Sequence, residues 1–144
     1  MPSNTSTYNV YQVSFSQTSN IDHIAIALAP AQLADQGAGR FYDVTGTAIL
    51  GMTYWKRPAF RFGSDVSFKE AVLRFQMPKA HLAEFEAIAA RHPPPHDVRA
   101  LFALDLDPPA RNFEDWVNDV LIEARALRLT QDCANGETWQ EGLK

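Results

Sequence analysis

Two residues in the first third of the chain carry side chains suited to moving protons. His23 opens the run "DHIAIALA", and Asp43 sits in "FYDVTG". An imidazole takes up and returns a proton near neutral pH, and a carboxylate held against it fixes its orientation and stabilises its charged form. Alternate side chains of a strand share a face, so His23 lies with Ala25 and Ala27 while Ile24, Ile26 and Leu28 project the other way. The alanines leave room beside the imidazole for a helix N-terminus or a ligand. Asp43 shares its face with Phe41. Each also has a bland explanation: His23 as a hydrogen-bonded core histidine, Asp43 as a turn former ahead of Thr45 and Gly46. Tyr54 and Trp55, in "MTYW", are candidates to line the same cleft or simply to pack.

The remaining reactive side chains have weaker claims. His92 and His96 flank "PPP", and in polyproline II, rising about 3.1 Å per residue, their imidazoles would stand on the order of 12 Å apart and on different sides. That geometry opposes a shared zinc ion. His81 with Glu84 reads as an exposed pair one helical turn apart. Cys133, the single cysteine, excludes an internal disulfide and a cysteine-based zinc cage. It lies in a polar tail with no local positive partner to favour a thiolate. Neither a metal nor a cofactor is expected.

These residues need a frame to hold them. "TYNVYQVSFS" alternates as a half-buried strand, "DHIAIALA" makes a second that stops at Pro30, and "RFYDVTGTAILGMTYW" reads as two short strands bent at Gly46. "FKEAVLRFQMP" is a further strand ended by Pro78. The loop "PAQLADQGAG" suits the border of a site. The period then changes: Leu82, Phe85, Ile88 and Ala89 form a helical stripe that "PPP" stops. "DVRALFALDLDPPA" is open between a strand and an irregular crossing. A last helix begins at "RNFEDWVNDVL", with Asn112 as N-cap, Asp115 in the capping-box position, and Phe113, Trp116, Val117, Val120, Leu121, Ala124 and Leu127 on one face. The pattern predicts one α+β domain over 8–129, with an antiparallel sheet of about five strands packed against two or three helices. A disordered N-terminus at 1–7 and a tail at 130–144 flank it.

The order of "DHIAIAL", "FYDVTG" and "RNFEDWVNDVL" resembles the permuted papain-like hydrolases and acyltransferases, the lecithin retinol acyltransferase type and relatives of the NlpC peptidases. Their pattern is "H-W-A-[IV]" followed downstream by "N-C-x-x-[FW]". "VTGTAILGMTY" is also similar to a segment of small fungal proteins. The resemblance spans about residues 8 to 128 and implies a permuted papain-like fold. It matches His23 to the family's base, Asp43 to its orienting polar group, and Phe113 to its nucleophilic cysteine. A phenyl ring neither ionises nor forms an acyl intermediate, so thiol-dependent peptidase or acyltransferase activity is not expected.

Two functions remain. In one, the cleft performs non-thiol acid–base chemistry, an isomerisation, cyclisation or elimination of a fairly apolar small molecule. His23 and Asp43 would be catalytic, and Phe113, Tyr54, Trp55 and Trp116 would contact substrate. In the other, the chain is an inactive papain-like module that binds a ligand or a protein. Composition narrows the partners: 17 acids against 13 scattered bases oppose nucleic acid, and no apolar run is long enough to span a bilayer. "MPSNTSTYNV" lacks the basic and apolar regions of a secretory signal, which points to a cytoplasmic protein and leaves homo-oligomer formation open.

Overall fold

The alternation of apolar and polar residues in the N-terminal half produces five strands in the computed structural model: β1 (Thr7–Phe15), β2 (His23–Pro30), β3 (Gly39–Thr45), β4 (Thr53–Phe60) and β5 (Phe68–Pro78). Two helices follow, α1 (Leu82–Arg91) and α2 (Phe113–Ala134). The structure describes residues 7–17, 22–31, 37–47, 50–97, 99 and 112–134. Most of the loop after Pro30, nearly all of "DVRALFALDLDPPA" and the extreme termini lie outside the described residues, as do the side chains of Leu127 and Cys133. The strands form one antiparallel sheet in the order β4-β3-β2-β1-β5. The protein is a small α+β domain.

The two sheet faces are covered differently. Ile26, Leu28, Tyr42 and Val44 point to the helices, where they pack with Trp116, Val117 and Phe85. Ala25, Ala27, Val13, Phe15 and Phe41 point to the opposite face and are covered by Phe62. The cover there is the connection 61–67 between β4 and β5, which contains a 3-10 turn at Phe62–Ser64. It runs from one edge strand to the other. On a flat sheet, strands about 4.8 Å apart and rising about 3.3 Å per residue would set Phe60 and Phe68 on the order of 27 Å apart. That is close to the full reach of so short a segment, leaving no slack for a 3-10 turn. The sheet therefore curls toward this face, helped by register shifts at Val10/Tyr11, Ser14/Phe15 and Gly39/Phe41. Gly37 and Gly63 cross backbone to backbone, Gly63 N–H donating to Gly37 C=O at 2.9 Å.

Helix α2 starts as its sequence dictates. Asn112 Oδ1 accepts from the N–H of Glu114 at 2.9 Å, and Asp115 Oδ2 accepts from Asn112 N–H at 2.9 Å, a closed capping box. Trp116, Val117, Val120, Leu121 and Ala124 are buried along one face. The helix runs to Ala134, past the boundary expected from sequence, so the backbone of Cys133 is helical rather than part of a tail. "LRLTQDCA" contains no proline or glycine, and the first glycine comes at 136, so local chemistry offers no earlier stop. Among the described residues no helix is long and apolar enough to cross a membrane.

Candidate active site

His23 is the first residue of β2, opposite Phe15, where the sheet ends and both of its covers are within reach. Continuing the pairing of Ala27 with Phe41 by two residues sets Asp43 beside Ala25, diagonal to His23 on the same face. A larger side chain than alanine at 25 would stand between them. The imidazole Nε2 lies 3.0 Å from Asp43 Oδ2. Since a carboxylate only accepts, Nε2–H is the donor. The Asp43 side chain is 5% exposed and that of His23 18%. Asp43 Oδ1 is buried and has no hydrogen-bond partner among the described residues. A buried acceptor left unsatisfied costs about 1–3 kcal/mol, which makes it a candidate for a ligand's donor.

Phe113, the first residue of α2, meets the His23 ring from the helix layer with centroids 5.0 Å apart and an interplanar angle of 62°. Phe15 flanks the imidazole at 6.2 Å. His23 thus touches the helix layer through Phe113 and the residues of the opposite sheet face through Phe15 and Asp43. The expectation that the alanine face admits a helix N-terminus is corrected: Ala25 and Ala27 face the other cover, and the helix reaches His23 only around the end of the strand.

On that other face an open cavity of about 230 Å³ is lined by His23 and Asp43, by Phe15, Phe41 and Phe60, and by Arg57, Asp65 and Ser67 at its rim. The rings pack edge on, Phe41 against Phe15 at 5.8 Å and against Phe60 at 4.7 Å. The Arg57 guanidinium lies 4.7 Å from the Phe60 ring centroid and 5.7 Å from that of Phe41. The Asp65 carboxylate accepts from Ser67 N–H at 2.9 Å and from its hydroxyl at 2.6 Å, and those bonds hold it below the usual carboxylate range.

The aromatic residues singled out from sequence divide. Trp116 is buried at the helix–sheet core, its indole N–H donating to the His92 carbonyl at 3.2 Å. Tyr54 packs against it at 5.6 Å on the helix side, and burial followed by the charge of Glu86 pushes its phenol up to about 12. Neither lines the cavity, because β4 alternates and Tyr54 falls on the Tyr42 side of the sheet. Trp55, directly opposite Asp43, is on the cavity face but half exposed, and its N–H donates to Thr45 Oγ1 at 2.8 Å. Arg57 was overlooked from sequence. The same alternation that carries Trp55 places Arg57 opposite Phe41, so one step along β4 would have found it.

The other histidines take separate partners. His92 Nε2 lies 2.8 Å from Glu123 Oε1, while His96 has its ring against Gly51. A second polar cluster ties α1 to the sheet: Tyr42 O–H donates to Glu86 Oε2 at 2.7 Å, Arg40 donates to the same oxygen at 3.1 Å, and Lys56 reaches Oε1 at 3.3 Å.

Fold and site define a small α+β domain with a histidine–carboxylate pair on the wall of an aromatic cavity. A family model described as a family of unknown function, DUF6540, matches residues 10–130, and the chain belongs to that family. No curated protein and no solved structure matches it.

Proposed function

We propose that the protein is a non-thiol acid–base enzyme acting on a small molecule, with His23 as the proton carrier and Asp43 as the group that orients it. The observation that carries this reading is the 3.0 Å bond between His23 and a carboxylate only 5% exposed, with both residues on the cavity wall. Nε2 is committed to Asp43, so Nδ1 is the nitrogen that abstracts and returns the substrate proton, while Asp43 stabilises the imidazolium between the two steps. The chemistry is an isomerisation, cyclisation or elimination that needs proton movement and no covalent intermediate.

The approach of Phe113 to His23 supports descent from the permuted papain-like plan, with the nucleophile's place taken by an apolar ring. The same ring supports the alternative, a binding module that has lost catalysis with its thiol. A model reaction separates the two. Cyclohex-3-en-1-one isomerises to its conjugated isomer when a base removes a C2 proton and the dienol is protonated at C4, and the product is read by its absorbance. Wild type should accelerate this and His23→Gln should not. Equal rates for the two proteins would remove the enzymatic reading.

A further inference from the structure

The cavity is lined by two polar groups that nothing in the proton-transfer chemistry requires. The first is on Asp43, whose Oδ1 is a buried acceptor with no protein partner among the described residues. The second is Arg57, whose guanidinium lies over the rings of Phe41 and Phe60 and which forms no ion pair among the described residues. Asp65, the nearby rim carboxylate, accepts its hydrogen bonds from Ser67 and meets Arg57 only through the attraction of their charges. A guanidinium held over aromatic rings still has N–H groups to offer, and it can take a carboxylate through two parallel bonds. Phe15, Phe41 and Phe60 line the same cavity.

Size limits what fits. An engineered apolar cavity of about 150 Å³ holds benzene, so one of about 230 Å³ accepts a single ring with small substituents and nothing larger without projecting through the mouth. We infer that the substrate is a single-ring carboxylate bearing a hydroxyl or N–H group, its ring on the phenylalanines, its donor on Asp43 Oδ1 and its carboxylate on Arg57. This assignment rests on reading the cavity as the substrate site, and it adds the chemical class. It makes Arg57 a specificity-determining residue.

Calorimetric titration of the full chain with 4-hydroxybenzoate, 4-hydroxybenzamide and benzoate tests it. 4-Hydroxybenzoate should bind about tenfold or more tightly than either analogue, a preference worth one good polar contact. Arg57→Gln should erase the advantage over the amide, and Arg57→Lys should restore part of it. Arg57 is exposed on an edge strand, so both variants should fold. Equal affinity for acid and amide, or an equal loss for all three ligands in Arg57→Gln, would overturn the assignment. Arg57-dependent binding without His23-dependent isomerisation would keep the ligand class and discard the enzyme. His23-dependent turnover of neutral ketones, indifferent to Arg57, with no preference for the acid, would do the reverse.

Discussion

The phenyl ring of Phe113 stands edge to face against the imidazole of His23, 5.0 Å between centroids, at the point where α2 begins. Its backbone belongs to the first turn of a capped helix, where N–H groups and the helix dipole favour negative charge. A thiol there should be acidic. In Phe113→Cys, with Cys133→Ser to remove the natural thiol, alkylation by iodoacetamide should reach half its maximal rate well below the ordinary cysteine value of about 8.5. A thiol titrating at the ordinary value would count against papain-like descent.

Asp43 dictates which imidazole nitrogen carries the proton. The bond at Nε2 means that neutral His23 should be the Nε2–H tautomer, visible in the nitrogen chemical shifts of labelled protein. In Asp43→Asn the amide can donate to Nε2 instead, so the tautomer should switch, and any His23-dependent turnover should fall by about 10²–10⁴-fold. An unchanged tautomer would show that the pair does not act as a unit.

Glu86 makes stability depend on pH. Burial raises its carboxyl, but the hydrogen bonds from Tyr42, Arg40 and Lys56 outweigh that and hold it below its ordinary value of 4.5. A carboxyl depressed on folding stabilises the fold fully above that ordinary value, and the contribution is lost as pH falls through the folded value. Thermal melts should show this loss in acid, and Glu86→Gln should flatten the acid limb. Glu86→Ala leaves the buried Tyr42 hydroxyl without its acceptor and should cost about 1–3 kcal/mol at neutral pH. Tyr42→Phe in the same background should recover part of it.

Gly39 lies tight against the backbone of β2. A Cβ there would sit 2.3 Å from the Leu28 carbonyl oxygen, a backbone atom that moves only if the strands part. Gly39→Ala should therefore cost at least the roughly 1–3 kcal/mol typical of overpacking, measured by urea unfolding. A loss below about 0.5 kcal/mol would mean that the strands separate freely.

Periodicity made most of this frame legible. Strand β5 ends at Pro78 and the Asn112–Asp115 box opens α2, because proline geometry and capping are local chemistry that needs no tertiary context. The His23–Asp43 pair was legible for the same reason, through two alternating strands. The connection 61–67 was not, since nothing in "RFGSDVS" announces that it crosses a sheet and brings Asp65 and Ser67 to a cavity rim. Tyr54 and Trp116, expected in the cleft, lie on the helix side, because a sequence shows which residues share a face but not which face the helices cover.

The crossing connection also bears on the order in which the site comes into being. Strands β1 to β4 follow one another as neighbours in the sheet, so a chain emerging from its N-terminus can pair them in turn. The cavity has no far wall until Ser16 N–H donates to Ser67 C=O at 2.7 Å and β5 docks on β1. That closure joins distant parts of the chain and belongs among the slower steps of folding. A ligand that fills the cavity would act on this latch, slowing the departure of β5 more than it speeds its arrival.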